Sequence, residues 1–401
     1  MARPEIPSLT GLRFWAAMFV VVAHTTHLHI IRPGLVPFGN LTAFGSMGMT
    51  LFFVLSGFVI HYNYGARLSE MNPRAIYDFA VARFARLYPL YFIATILSIA
   101  PAPSLPTVFA VAWPYYLTMT HDWFPMVVPD GRMLSDAFTP GSWSISLEVL
   151  LYILYIPLLF IGNRVLRTER QVLRAIAVLF VFVTAFHLVR AATLWGFDDL
   201  WLWYRSPVAR LPEFLLGVLV AQIYLGRANT PVSMTERRAV LAALAIGGAL
   251  LAVALSGLFV YPPRQSSILL LRCWGFAPFC GALIYALARF RWRWSHAMFE
   301  SRLALRLGDA SYSIYLLHPI VLWMFAWQGT EATWFIGAKI AISVIVICTL
   351  GVWCFDNIED PARRFIRRRF GQQKPVPRAP NAANVATQDA AVPVLGTRSG
   401  E

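Results

Sequence analysis

Two costly side chains, Arg13 and His24, lie in the first apolar run, LTGLRFWAAMFVVVAH (9–24). They are eleven positions apart. On a helix this is about 20° past three full turns, so both leave one face, roughly 16 Å apart along the axis. A guanidinium and an imidazole on one face of a membrane helix belong in a protein interior or a wet cavity, because ionisable groups facing lipid are expensive. The alternative is that Arg13 snorkels to the inner surface and His24 is an interfacial polar residue. Three further stretches add groups of the same kind. In ARFARLYPLYF (82–92), Arg83 and Arg86 are neighbours on one helix face. Two such guanidiniums can bind phosphates bidentately, and they can equally be positive-inside anchors. In GSWSISLEVLLYILY (141–155), Ser144, Glu148, Tyr152 and Tyr155 share a face, with Ser142 or Ser144 placed to cap the helix. Glu148 then needs a partner, and an arginine or histidine on another helix is the natural one; a buried ion pair that only fixes packing is the competing reading. In LGDASYSIYLLHPIVL (307–322), Ser311, Tyr315 and His318 share a face. That puts His318 inside the bundle, either lining a cavity with His24 or satisfied as an interior histidine.

The elements that must hold these groups are membrane helices. The chain of 401 residues is 58% hydrophobic and 13% charged, whereas a soluble domain carries about a quarter charged residues. Apolar runs long enough to span recur near 9–29, 46–64, 87–104, 143–161, 173–194, 207–225, 239–259, 267–288, 308–327 and 333–355, which makes about ten. The expected fold is therefore all-α, a polytopic membrane helical bundle. The formal net charge of +14 comes mainly from arginines in short loops and the C-terminal tail, as the positive-inside rule expects, and is not a nucleic-acid signal. With the N-terminus in the cytoplasm, the loop 65–86 (Arg67, Arg74, Arg83, Arg86), later basic loops such as Arg164/Arg167/Arg170, and the tail from Arg363 to Arg369 all fall inside. Arg32, Arg132 and Arg264 remain outside. The short, proline-containing stretch 106–119 would reverse every later loop if it were a full span. It is placed instead in an outer-side excursion, 106–142, whose His121, Asp122, Trp123 and Trp143 suit sugar stacking.

Other features read as structural. Gly45, Gly48 and Gly57 in GSMGMTLFFVLSGFVIHY (45–62) allow close helix approach, and Ser56 can donate inside the bundle. Arg210 and Glu213 can pair at i,i+3. Cys273, Cys280, Cys348 and Cys354 lie in or beside apolar runs without metal-ligand spacing, so no disulfide or metal site is expected. The first helix reads as a retained signal-anchor. Residues 1–370 form the transmembrane domain; 371–401, rich in Pro, Ala, Gln and Asn, form a disordered cytoplasmic tail. No internal repeat suggests an inverted-repeat transporter.

Taken together, these stretches resemble the acyltransferase-3 family of integral-membrane O-acyltransferases over about residues 6–370. The opening Arg13…His24 pair, GMTLFFVLSGFVI (48–60), RFARLYPLY (83–91), WSISLE (143–148), SYSIYLLH (311–318) and EDPARR (359–364) occur in the family's order. Thr10 and Thr50 stand where the family often has Asp, which marks a subgroup. Some relatives carry a C-terminal hydrolase-like domain that is not expected here. The resemblance implies transfer of an acyl group, usually acetyl, from cytoplasmic acetyl-CoA as co-substrate, with no permanently bound cofactor. The implied acceptor is a hydroxyl of a surface or exported, often lipid-linked, glycan at the bacterial inner membrane, with both termini cytoplasmic. The reading of the residues is compatible with this: His24 can take the hydroxyl proton, Arg13 can hold CoA or the developing oxyanion, and Glu148 can orient an imidazole or an arginine. Arg83 and Arg86 lie where the CoA phosphates would arrive. An acyl-histidine relay is the second mechanism. Acylation of a small molecule such as a macrolide is the alternative within the class, and a multi-pass transporter the alternative outside it.

Overall fold

The computed structural model describes residues 3–27, 41–99, 105–139, 141–193, 201–256, 274–290, 292–325 and 333–371. The disordered tail expected over 371–401, except Gly371, lies outside the described residues, as do Arg32, Arg264 and Cys273. The other three cysteines are free thiols.

Among the described residues the regular secondary structure is helical. The helices are α1 (Pro7–His27), α2 (Thr42–Leu68), α3 (Pro73–Leu97), α4 (Leu105–Leu117), α5 (Trp143–Val165), α6 (Glu169–Thr193), α7 (Pro207–Arg227), α8 (Met234–Leu255), α9 (Ala277–Arg289), α10 (Arg293–Phe299), α11 (Arg302–Asp309), α12 (Ser311–Met324), α13 (Thr333–Cys354) and α14 (Asp360–Phe370). Among the described residues, eight helices are long and apolar enough to cross a membrane. The runs expected at 267–288 and 308–327 supply the shorter, well-buried α9 and α12. Outward faces of α6, α8 and α13 carry exposed Val178, Val181, Phe182, Ile246 and Ile345, which suits lipid contact. The chain is a multi-pass membrane protein.

The central element is α2. It packs most extensively against α1 and α7. Glycine makes this possible: a Cβ built on Gly57 would stand 2.0 Å from the Phe214 carbonyl oxygen, and one on Gly217 would stand 1.9 Å from that of Val54. Backbones approach here at a distance that no side chain tolerates. The same contact is locked by Arg210 and Glu213, paired at 2.9 Å with both side chains fully buried, and by Thr50, which donates to Glu213 at 2.9 Å. The i,i+3 pairing read from the sequence is present, and it spends the Thr50 hydroxyl on α7.

One boundary differs from expectation. The loop 65–86 does not exist as a loop: α2 runs to Leu68 and α3 begins at Pro73. Asn72 caps α3, its side chain accepting from the Arg74 N–H at 2.9 Å, and Pro73 fills the first position. The first turns are polar but helical, with Asp78 held 3.6 Å from both Arg67 and Arg74. Arg83 and Arg86 consequently lie well inside a helix and not at its mouth. The short stretch 106–119, read as part of an outer-side excursion and not as a full span, is helical. Its α4 has 13 residues, about 20 Å of helix against a hydrocarbon core of about 30 Å.

The excursion after α4 is framework. Tyr116 donates to the carbonyls of Leu134 and Ser135 and accepts from the Phe138 N–H; His121 stacks on Tyr116 at 4.1 Å and meets Ser142 at 3.1 Å. Trp201 donates to Asp122 at 3.1 Å. His121, Asp122 and Trp143, expected to offer a sugar-stacking surface, are instead buried. Burial pushes the Asp122 carboxyl well above its ordinary range and the His121 imidazole down to about 3.

Candidate functional site

A cavity of about 610 Å³ opens between α1, α2, α3, α5, α12 and the C-terminal end of α14. It brings together Arg13, Ser56, Arg83, Arg86, Ser144 and Glu148, six of the eight residues singled out from sequence. Its exposed lining residues, among them Glu5, Arg67 and Arg367, all belong to one end, where α1 and α3 begin and α2 ends. From that mouth it runs inward to Ser144 and Tyr315.

Arginine dominates its wall. The Arg83 guanidinium donates to the Tyr64 hydroxyl at 3.1 Å and lies over the rings of Tyr64, Phe79 and Tyr152 at 5.1, 5.9 and 5.8 Å. Its buried Nε has no hydrogen-bond partner among the described residues. Arg13, one helix away, is within Coulombic range of Arg86, Arg83, Asp309 and Glu5. Like charges gathered in a partly buried cavity repel one another. A polyanion relieves that repulsion, and it also supplies the acceptor that Arg83 lacks.

Glu148 does not meet the expected arginine or histidine. Its carboxylate accepts from Ser56 at 3.0 Å and, at very short range, from Tyr152, one turn on along α5. Tyr152 in turn presents its ring to Arg83. Glu148 thus reaches a cation through an aromatic intermediary, a link that apolar periodicity does not reveal. The serines differ from the capping expectation as well. Ser142, at the N-cap of α5, donates back to the Thr139 carbonyl at 2.8 Å without capping the helix, and Ser144 meets the Tyr315 hydroxyl at 2.7 Å.

His24 and His318 stand outside the cavity lining but together. His24 Nδ1 lies 3.2 Å from His318 Nε2, and the two rings are 4.9 Å apart. The partners dictate the tautomers. His318 Nδ1 donates to the Tyr315 carbonyl, so its Nε2 is an acceptor. His24 Nδ1 carries a proton shared between that nitrogen and the Val20 carbonyl at 2.9 Å. His24 Nε2 therefore holds the basic lone pair. Tyr315 joins the two halves of the site: its hydroxyl lines the cavity and donates to the Gly141 carbonyl at 3.0 Å, while its ring lies 5.5 Å from His318. The sequence placed Tyr315 on the correct face but gave no sign of this bridging position.

Comparison with known proteins follows the same outline. Residues 6–353 match the acyltransferase-3 family, described as an acyltransferase domain. The chain is 28% identical over 409 residues to acyltransferase MdmB of Streptomyces mycarofaciens, covering 94% of this chain and 96% of that protein. It is 25% identical to the exopolysaccharide production protein ExoZ of Rhizobium meliloti (strain 1021), covering 82% of this chain and 93% of that one. A shorter match, 40% identical over 92 residues, is to protein 2 in the picA locus of Rhizobium radiobacter, covering 23% of this chain and 43% of that protein. No solved structure matches.

Proposed function

Because the chain belongs to the acyltransferase-3 family and is an acyl-transferring membrane enzyme, we propose that it moves an acyl group, acetyl in the simplest case, from cytoplasmic acyl-CoA to a hydroxyl of a lipid-linked or exported glycan. The bacterial inner membrane, with both termini cytoplasmic, is its setting in this reading. The observation that carries it is the arginine-walled cavity, open at one end only by its exposed lining and ending at Tyr315, behind which the histidine pair lies. ExoZ, named for exopolysaccharide production, supports a glycan acceptor.

The roles follow from distance. Arg13 and His24 are about 16 Å apart along α1, too far to serve one tetrahedral carbon. Of the two roles open to Arg13, binding CoA is therefore kept and stabilising the oxyanion is dropped. Arg13, Arg83 and Arg86 hold the phosphates, and the extended pantetheine arm carries the thioester inward. There the acceptor oxygen attacks the thioester carbonyl while its proton passes to His24 Nε2. The carbon–sulfur bond then breaks, and the proton moves from the imidazolium to the departing thiolate, giving ester and CoA–SH. His318 Nε2 and the Val20 carbonyl receive the second imidazolium N–H as charge develops. Glu148 acts through Tyr152 as a positioning residue for Arg83.

Membranes bearing wild-type or His24→Ala protein are given radiolabelled acetyl-CoA and lipid-linked glycan extract, and free CoA and glycan label are followed together. Loss of both in the variant, with normal insertion, is expected. Full activity of His24→Ala refutes the assignment.

A further inference from the structure

The cavity wall is two-tiered. Six arginines and three carboxylates line it. Arg13, Arg83 and Arg86 form the inner tier. Arg67, at the end of α2, and Arg367, on α14, are exposed at the rim. Both share the cavity wall with Tyr64, the residue whose hydroxyl holds Arg83. Tyr64 and Arg67 are three residues apart on α2, a rise of about 4.5 Å. The third rim arginine is committed elsewhere: Arg3 donates to the Tyr62 carbonyl at 2.9 Å. Arg67 is only loosely held, 3.6 Å from Asp78, too long for a hydrogen bond.

We propose that Arg67 and Arg367 form a second phosphate subsite that takes the 3′-phosphate of the donor nucleotide, outside the inner tier that takes its 5′-pyrophosphate. This rests on the acyl-CoA reading above. Coenzyme A carries these two anionic groups on opposite sides of one ribose, and a rim arginine one turn of α2 beyond the tyrosine that holds Arg83 matches that arrangement. A lone pyrophosphate needs only the inner three. Arg67 and Arg367 would then make the enzyme select acyl-CoA over donors with the same thioester arm but no 3′-phosphate. A phosphate at the rim can also come from an anionic lipid headgroup, so the test separates the two sources.

Purified full-length protein in neutral phosphatidylcholine nanodiscs is titrated calorimetrically with CoA and with 3′-dephospho-CoA. Wild type is expected to prefer CoA by roughly tenfold to a hundredfold, the scale of charge-assisted bonds to one phosphate. In Arg67→Ala/Arg367→Ala, CoA binding is expected to fall to the dephospho-CoA level, with dephospho-CoA binding as in wild type. Arg67→Lys, which keeps the charge, retains part of the preference. Equal binding of both ligands by wild type, or an equal loss of both in the double variant, overturns the subsite while leaving the donor reading intact. Binding of neither ligand overturns the donor reading itself. An effect of the double variant that appears only with anionic lipid in the disc assigns the rim to headgroups and overturns the subsite.

Discussion

Replacing His318 by Phe keeps the ring volume inside α12 and removes the acceptor facing His24. In the structure His24 Nδ1 has two acceptors, the Val20 carbonyl at 2.9 Å and His318 Nε2 at 3.2 Å. The first remains in the variant and keeps the tautomer. Only one of two contacts to the developing imidazolium is lost, so the lower part of the range for hydrogen bonds to charged groups applies, about 1.5 to 2 kcal/mol. That is roughly a ten- to thirtyfold fall in kcat. His318 does not line the cavity, so KM for acyl-CoA is expected to stay within about twofold. His318→Gln, which retains an acceptor oxygen, should recover part of kcat. The assay is steady-state release of CoA with saturating glycan acceptor. A Phe variant with unchanged kcat, or one whose KM for acyl-CoA rises in step with the loss, refutes the reasoning.

Three other perturbations test the frame. Glu213→Ala strands the fully buried Arg210 guanidinium and should cost about 3 to 5 kcal/mol in unfolding titrations, while Arg210→Met/Glu213→Leu recovers most of it; a single-variant loss under about 1 kcal/mol argues against the pair's importance. Gly57→Ala drives a methyl into the Phe214 carbonyl and should lower thermal stability markedly, whereas Gly226→Ala, which meets nothing within 4 Å, should not. Asp122 has a folded-state pKa raised by burial, so its stabilising share is full at low pH and is lost as pH rises from the unfolded value through the folded one. Asp122→Asn, which keeps an acceptor for Trp201, should therefore melt higher than wild type at pH 8, with the gap closing toward pH 4; a wild type that melts higher at pH 8 contradicts this.

The bundle and most of the site were legible because membrane helices advertise themselves and because a charge inside an apolar run must face inward. Arg13 and Glu148 face one cavity for that reason, and Ser56, Arg83, Arg86 and Ser144 line it with them. The start of α3 was hidden by the same logic: Arg74, Asp78 and Arg83 read as a loop to a hydropathy window, although Asn72–Pro73 is a helix-start signal. The partners of Glu148 were also out of reach. Periodicity assigns a face but does not choose between a cation and a hydroxyl across that face. The buried aromatic and acidic residues of 118–142 misled in the opposite direction, since composition does not distinguish a stacking surface from the packing that ties a loop down.

The exposed lining residues of the cavity lie at a single end, and Tyr315 stands at the other. On the proposed reading this geometry fixes a pattern of product inhibition. Spent CoA leaves by the door through which acyl-CoA arrives, so the two compete for one enzyme form. In that reading the acceptor is engaged at the histidine pair behind Tyr315 and does not obstruct that door. Free CoA should thus inhibit competitively against acyl-CoA but not against the acceptor, and a rise in the cytoplasmic ratio of free to acylated CoA would throttle decoration of the exported product even when acceptor is abundant.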